Sequence, residues 1–331
     1  MSGEGGTVAE NATIAAPAQA QRVDGSGAAA PTIVLRDVSK WYGDKVALSG
    51  VNFEVRPGVS ALLGPNGAGK STALKLITGQ LRPSRGEVRV LDQPVVNNPR
   101  LYRRIGLVPE QEALYPFMTA REFVEFAGRL HSLPDPRAAA ETALGHVKML
   151  EAADRRLGGF SKGMRQRVKI AQALVHEPEL LILDEPLTGA DPRQRVELIE
   201  LFHDLAARGA TVFISSHVLN EVERMGSNVL VLVDGKLAAE GDFRRIRDLM
   251  NDRPRRLRVL CDQPRDIAAR LVHLPGTCEL KLVDGGLELQ TDDARTLALA
   301  LPRMAQAAAA HLYAVEPLDE GLESVFRYLV Q

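Results

Sequence analysis

The sequence predicts an α/β fold with a mostly parallel sheet, followed by a small α+β unit at the C-terminal end. Between residues 58 and 233, apolar strand patterns alternate with helical patterns, and this alternation produces parallel strands. The segments 180–183, 211–214 and 229–233 are short and mainly apolar, which is typical of strands buried on both faces of a sheet. The sheet is therefore expected to lie inside the larger domain.

The composition is that of a globular protein without a strongly charged surface. The 331 residues are 45% apolar and 25% charged, with a formal net charge of −1, so no nucleic-acid partner is expected. Cys261 and Cys278 lie in no CxxC or metal-binding spacing, which favours reduced thiols in the cytosol. The N-terminal stretch has no features of a secretory signal, and no apolar run approaches the ~20 residues of a membrane-spanning helix. We therefore expect a cytoplasmic protein that reaches a membrane only through a partner or its own surface.

The predicted secondary structure begins after a polar N-terminal tail. Residues 1–30 contain almost no large apolar residue, so we expect them to be disordered. The stretch 33–55 predicts two or three strands separated by turns. Trp41 and Tyr42 lie within it, where a flat aromatic ring suits base stacking and ordinary strand packing equally. Helical periodicity then extends from residue 120 to about 157, interrupted near Pro134.

Residues 64–72 have the sequence Gly-Pro-Asn-Gly-Ala-Gly-Lys-Ser-Thr and lie between a short apolar strand and a helical pattern. This context predicts a phosphate-binding loop and disfavours the alternative of a merely flexible glycine loop. Glycines let the backbone turn so that its N–H groups point at a phosphate, and the helix N-terminus adds positive partial charge. Lys70 can then reach the β- and γ-phosphates of a nucleotide, and the Ser71 hydroxyl can bind Mg²⁺.

Acidic side chains follow the apolar strand 180–183 directly. Asp184 is placed to hold Mg²⁺ through its water shell, and Glu185 is placed to polarise an attacking water. Both lie at the carboxyl end of the strand, where α/β folds bind their ligands. His217 ends the neighbouring strand, where it could contact the γ-phosphate or the water, although a single histidine is more often an ordinary hydrogen-bonded residue.

Taken in order, these motifs resemble those of the ATP-binding cassette (ABC) ATPases. Residues 64–72 match the family's Walker A motif, residues 160–168 its signature loop, residues 180–186 its Walker B motif, residues 187–192 its D-loop, and residues 216–217 its switch histidine. The resemblance covers about residues 32 to 242. It implies a P-loop NTPase-type fold with an antiparallel β subdomain, in an ABC ATPase domain of residues 31–245 whose helical subdomain is residues 110–160.

The resemblance also assigns roles to individual residues. It implies that Glu185 and His217 are catalytic and that Ser71 and Asp184 bind Mg²⁺. Tyr42 falls on the aromatic position that stacks on adenine, and Asp191 on the D-loop aspartate. The implied ATP-binding residues are Tyr42, Gly64, Pro65, Asn66, Gly67, Ala68, Gly69, Lys70, Ser71 and Thr72. The implied signature residues, which would cover the ATP of another subunit, are Ser161, Lys162, Gly163 and Met164.

The sequence departs from the family pattern at three places. The signature loop contains Ser-Lys-Gly-Met in place of the commoner Ser-Gly-Gly-Gln, so Lys162 adds a positive charge. The glutamine of the family's Q-loop falls on Glu110, with Gln111 one position later, which leaves the Q-loop role open between these two residues. The D-loop contains Gly189-Ala190 rather than Gly-Leu.

The family resemblance implies particular partners and a direction of transport. Two cassettes would enclose two ATP molecules head to tail, so the expected partners are a second copy or a homologous cassette and integral membrane permease subunits on the cytoplasmic face. A soluble mechanical ABC ATPase of DNA repair or translation is the alternative, but such proteins usually carry two cassettes, a coiled-coil insertion or zinc cysteines. A small-molecule kinase is a third option, which the signature loop disfavours.

The C-terminal residues 255–331 follow the order β-α-β-β-α-β, which suggests a small ferredoxin-like domain. A final amphipathic helix is expected around residues 322–329. The pattern of residues 319–326 resembles the C-terminal extension of bacterial export-type cassettes and therefore points to export.

Overall fold

A computed structural model describes residues 30–111, 114–225, 228–242 and 254–318. The predicted disordered tail, apart from Ala30, and the predicted final helix lie outside these residues. No helix within the described ranges is long and apolar enough to cross a membrane.

The larger domain is built on a six-stranded sheet in the order β10-β9-β3-β8-β7-β6. Neighbouring strands from β9 to β6 are parallel, and only β10 is antiparallel to its neighbour, which confirms the predicted mostly parallel sheet. Its strands are β3 (Gly58–Leu63), β6 (Ile105–Val108), β7 (Leu180–Asp184), β8 (Thr211–Ser216), β9 (Asn228–Val233) and β10 (Lys236–Asp242). Every residue of β7 and β8 is buried, as expected for strands covered on both faces.

A second, antiparallel sheet has the order β2-β1-β4-β5. Its strands are β1 (Ile33–Tyr42), β2 (Lys45–Val55), β4 (Arg85–Val90) and β5 (Gln93–Pro94). One apolar core joins this sheet to the parallel sheet, with the rings of Phe53 and Phe213 6.3 Å apart. A second core covers the other face of the parallel sheet with helices.

The described residues of this domain form several α-helices, most of which begin directly after a side chain that caps their first turn. They are α1 (Lys70–Ile77), α2 (Pro99–Tyr102), α3 (Ala120–Leu130), α4 (Pro136–His146), α5 (Lys162–Leu174), α6 (Pro192–Ala207) and α7 (Leu219–Met225). Thr119 forms a capping box with Glu122 at the start of α3, and Asp135 caps α4. Such side-chain caps satisfy backbone donors that have no partner inside the helix.

The helical segment is shorter than the sequence predicts. The pattern favours helix through about residue 157, but α4 ends at His146 and is followed by 3₁₀ turns at Leu150–Ala152 and Leu157–Gly159. Lys148 has a φ of +56°, a left-handed conformation that an α-helix cannot continue.

The C-terminal elements alternate in the order β11 (Arg255–Cys261), α8 (Pro264–Leu271), β12 (Thr277–Val283), β13 (Gly286–Thr291), α9 (Ala294–Ala307) and β14 (Leu312–Pro317). They form an antiparallel sheet in the order β12-β13-β11-β14. Both helices contribute to an apolar core of this unit that includes Val259, Ile267 and Leu297. This is the arrangement of a split βαβ unit, and we propose that residues 255–331 form a separate ferredoxin-like domain.

Two histidines from different segments stack on each other: His131 directly follows α3, and His176 lies between α5 and β7. The rings of His131 and His176 lie 3.7 Å apart and nearly parallel. His176 Nε2 donates to the backbone oxygen of Ile105 at 3.1 Å. Burial, together with the neighbouring His131, lowers the pKa of His176 to about 4. The folded protein therefore keeps this ring neutral where a free histidine would accept a proton.

We predict that His176 makes the protein less stable in mild acid. An unfolded histidine titrates near pH 6.5, so between about pH 6.5 and pH 4 the unfolded chain binds a proton that the folded chain does not, and stability falls as the pH falls. Replacing His176 with Gln should make the melting temperature less sensitive to pH in this window. The same substitution at the exposed His203 serves as the control. Parallel melting curves for wild type and His176→Gln would contradict the prediction.

Candidate functional site

The loop between β3 and α1 is shaped by glycines that approach neighbouring backbone closely. Gly69 precedes α1 with a φ of +104°, and a Cβ on it would lie 2.6 Å from the carbonyl oxygen of Ala47. A Cβ on Gly64 would lie 2.6 Å from the carbonyl oxygen of Leu232. Both contacts are too short for any side chain, so these positions require glycine.

The same loop has the features of an anion-binding site. No side chain caps the N-terminus of α1, which leaves its first backbone N–H groups for a ligand. Lys70 Nζ donates to the carbonyl oxygens of Gly64 and Pro65, at 2.7 and 3.3 Å, so its side chain curves back over the loop. A phosphate placed in the loop would therefore meet both the helix amides and the ammonium group.

Carboxylates at the ends of β7 and its neighbours face Lys70. Burial lowers the pKa of Lys70, while the charges of Glu185, Asp184 and Glu110 act in the opposite direction. Lys70 Nζ lies 4.0 Å from Glu185 Oε1. The fold thus brings together the lysine of the glycine loop after β3 and both acidic residues at the end of β7, two strands away in the sheet.

Asp184 and Glu185 are both fixed by Ser215 of β8. The Ser215 hydroxyl donates to Asp184 Oδ1. The Glu185 N–H donates to the Ser215 carbonyl oxygen and to its hydroxyl, both at 3.2 Å. Glu185 also has a φ of +51°, a strained conformation for a residue with a side chain, and one that concentrates at functional sites.

His217 forms the closest contact of the Glu185 carboxylate. Its Nδ1 lies 2.8 Å from Glu185 Oε1. Burial raises the pKa of Glu185, and the hydrogen bond from His217 opposes this rise. A carboxylate with a raised pKa that is held by a histidine is suited to accept a proton from water.

The oxygen donors around the loop match the preference of Mg²⁺. Asp184 is a buried carboxylate, and Ser71 begins the first turn of α1 directly after Lys70. Hard divalent cations take such carboxylate and hydroxyl oxygens and complete their coordination with water and phosphate. Ser71 and Asp184 would therefore hold the ion.

The segment after β6 lies close to the same site. Lys169 Nζ donates to the carbonyl oxygen of Pro109 at 2.6 Å and to that of Glu110 at 3.4 Å. The side chains of Glu110 and Gln111 are exposed. The charge of Glu110 opposes the lowering of the Lys70 pKa, so this carboxylate lies near the glycine loop, and the Q-loop role stays open between Glu110 and Gln111.

The signature loop and the D-loop contact each other within one chain. Ser161 caps α5 by accepting a hydrogen bond from the Met164 N–H at 3.2 Å. The side chain of Lys162 lies against Gly189. Gly163 lies against the side chain of Gln194, in the first turn of α6, which Asp191 caps. In the described residues, no hydrogen bond or ion pair joins these signature residues to the glycine loop.

Tyr42 lies at the end of the β1–β2 hairpin, where it pairs with Lys45. The same hairpin brings Ala47 against Gly69 of the glycine loop. The Tyr42 side chain is 47% exposed, and Lys40 Nζ lies 5.3 Å from the centre of its ring. An exposed ring next to the loop is available for stacking, and its adenine role stays a prediction.

Sequence reasoning gave no role to Ser215, Arg195 or Glu221, and it named Ser216 only as part of the switch-histidine motif. Ser216 donates to Glu221 Oε2 at 3.0 Å, and Glu221 pairs with Arg195 at 3.3 Å. The signal for the serines was their position, since they follow a buried strand at the edge where Asp184 and Glu185 lie. Nothing in the local sequence pairs Arg195 with Glu221, because the two residues are on different helices.

Comparisons with known proteins agree with this geometry. Residues 48–188 match the family model described as ABC transporter. The chain is 39% identical over 213 residues to the Nod factor export ATP-binding protein I of Burkholderia orbicola (strain AU 1054), covering 63% of this chain and 70% of that relative.

Solved structures give the same result for the fold. The cbiO1 protein from Clostridium perfringens, described as part of the ABC transporter complex cbiONQ, is 29% identical with a TM-score of 0.61, covering 66% of this chain and 91% of its own. A dimeric ATP-binding cassette in a post-hydrolysis state with ADP and Pi is also 29% identical, with a TM-score of 0.59, covering 64% of this chain and 98% of its own.

We predict that Lys70→Ala abolishes ATP binding, because the substitution removes the only side-chain cation that the glycine loop itself supplies. Binding of a fluorescent ATP analogue to the purified chain measures this directly. Lys75→Ala on the exposed face of the same helix is the matched control and should bind like wild type. Unchanged affinity of Lys70→Ala would contradict the assignment of the loop.

Proposed function

Because the chain belongs to the ABC transporter ATP-binding family, we propose that it is the ATP-hydrolysing subunit of an exporter, acting as a head-to-tail dimer beneath separate permease subunits. Hydrolysis of ATP follows from the family. The dimer geometry, the permease partners, the export direction and the position on the cytoplasmic face of the membrane are the proposed parts.

The observation that carries the proposal is that one chain brings together only part of the ATP site. The glycine loop, the acidic pair and His217 meet, but the signature residues lie apart from them. Lys70, Asp184, Glu185 and His217 lie together. The signature residues instead pack against the D-loop of the same chain. A second copy placed head to tail would supply Ser161 and Gly163 to the exposed side of the nucleotide. The dimeric form of the ADP-bound relative supports this arrangement.

In the proposed mechanism, each residue acts through the contacts already described. The amides of α1 and the Lys70 ammonium bind the β- and γ-phosphates. Glu185 accepts the proton of the attacking water, and His217 orients the Glu185 carboxylate through their 2.8 Å contact. Mg²⁺, when bound by Ser71 and Asp184, neutralises phosphate charge. ATP binding would close the dimer, and release of phosphate would reopen it.

An exposed aromatic patch on the helical subdomain supports a permease partner. We define this patch by Tyr115 and Phe117, which are both exposed large hydrophobic residues. The rings of Tyr115 and Phe117 lie 5.9 Å apart. An apolar surface next to the segment of Glu110 suits a helix of a membrane subunit, through which closure of the dimer would act on the permease.

We predict that Glu185→Gln binds ATP and accumulates as a dimer, since it retains the binding residues but loses the proton acceptor. Size-exclusion chromatography with light scattering should show a monomer without nucleotide and a dimer with ATP. The double variant Lys70→Ala/Glu185→Gln is the control and should stay monomeric in both conditions. Turnover of Glu185→Gln at the wild-type rate would show that Glu185 is not the base.

We predict that tagged Glu185→Gln with ATP recovers a polytopic membrane protein in fixed ratio from detergent-solubilised host membranes, and that a Phe117→Asp substitution in this variant removes it. Phe117 is 70% exposed, so the change should leave folding intact. Tyr313→Asp, at a residue of equal exposure in the C-terminal unit, is the matched control. Recovery of ribosomes or DNA instead would favour a mechanical ATPase.

A further inference from the structure

The backbone at His217 is held from two directions by consecutive serines. Ser215 binds Asp184 and the Glu185 N–H. Ser216 points elsewhere: its hydroxyl donates to Glu221 Oε2 and accepts a hydrogen bond from the Val218 N–H, both at 3.0 Å. The second serine therefore fixes the chain on either side of His217 and connects it to α7.

Glu221 connects this turn to the D-loop through one arginine. Glu221 is only 8% exposed, and a carboxylate at that depth needs a partner. Arg195 Nη1 lies 3.3 Å from Glu221 Oε1. Arg195 Nε also donates to the carbonyl oxygen of Ala190 in the D-loop at 3.1 Å. A planar guanidinium can hold two acceptors in one fixed geometry, so the D-loop backbone and the Glu221 carboxylate are tied together.

We infer that Arg195 and Glu221 are positioning residues, which couple the D-loop to His217 and so set the contact between His217 and Glu185. The continuous contacts run from Ala190 through Arg195, Glu221 and Ser216 to His217. The inference rests on the proposed head-to-tail dimer, because that arrangement places the D-loop at the contact between subunits. Approach of the second subunit would then act on the catalytic carboxylate through this chain of contacts.

A purely structural role is the competing explanation, in which Arg195 only neutralises the buried Glu221. Arg195→Lys separates the two roles, since lysine keeps the positive charge but cannot hold both acceptors in the same geometry. A structural role predicts little change in turnover. A positioning role predicts a lower kcat with an unchanged KM for ATP, because nucleotide binding does not use these residues.

The experiment measures ATP turnover of Arg195→Lys in two backgrounds. With His217 present, kcat should fall roughly tenfold, which is less than the about 10²–10⁴-fold that acid–base catalysis contributes, because Arg195 acts on the base only indirectly, while KM stays within about twofold. In the His217→Ala background, where single-turnover assays with radiolabelled ATP give the rate, the same change should have less than about a twofold effect, because residues that act through one another are not additive.

A matched arginine–carboxylate pair provides the control. Arg104 Nη2 donates to Glu179 Oε2 at 2.6 Å, and the two residues precede β6 and β7, at the ends of the strands opposite the site. The Arg104 side chain is 36% exposed, compared with 40% for Arg195. Arg104→Lys should leave kcat unchanged in both backgrounds.

Equal losses for Arg195→Lys in the two backgrounds, or no loss with His217 present, would overturn the inference. The proposed dimer is tested separately by Glu185→Gln with ATP. If Glu185→Gln forms no dimer, the proposed function fails. If it forms the dimer while Arg195→Lys acts equally in both backgrounds, only the positioning role fails.

Discussion

The site depends on three parallel strands that end at the same level. In the register of the sheet, Leu63 of β3 pairs with Ser216 of β8, and Asp184 of β7 pairs with Ser215. The chain leaves each of these strands at the carboxyl end. The glycine loop, the acidic pair and His217 each directly follow one of these strand ends, so they meet on the same side of the sheet. Because both faces of the sheet are covered by apolar cores, this side is where polar side chains can collect.

Burial at the carboxyl ends of these strands is the main cause of the pKa shifts of Lys70 and Glu185. Lys70 and Glu185 are both removed from most solvent, which shifts each toward its neutral form. Their mutual attraction opposes both shifts. Lys70 donates to two loop carbonyl oxygens, and a phosphate in the loop would compete for the same donor hydrogens.

The parts of the structure that sequence predicts are those set by local chemistry. The helix caps formed by Ser161 and Asp191 are of this local kind, because a cap needs only the side chain and the next three residues. The glycine loop and the buried strand before Asp184 have equally local signals. The mostly parallel order of the main sheet follows from the alternation of strands and helices.

The parts that sequence misses depend on residues that are distant along the chain. The bond from Ser215 to Asp184 spans 31 positions, and its existence requires the register of β7 and β8. The left-handed backbone of Glu185 is held by β8 and has no signature of its own. The early end of α4 is also unpredicted, since Lys148 has no intrinsic preference for a positive φ.

Complementation between two inactive variants tests most directly whether one ATP site is built from two chains. Lys70→Ala removes the glycine-loop lysine, and Ser161→Glu would place a negative charge where the signature loop meets the γ-phosphate. Each variant alone should be inactive. A mixture should recover up to about a quarter of wild-type ATPase activity, because half of randomly formed dimers are mixed and each of those has one intact site. No recovery from two variants that both fold and form mixed dimers would contradict the head-to-tail site.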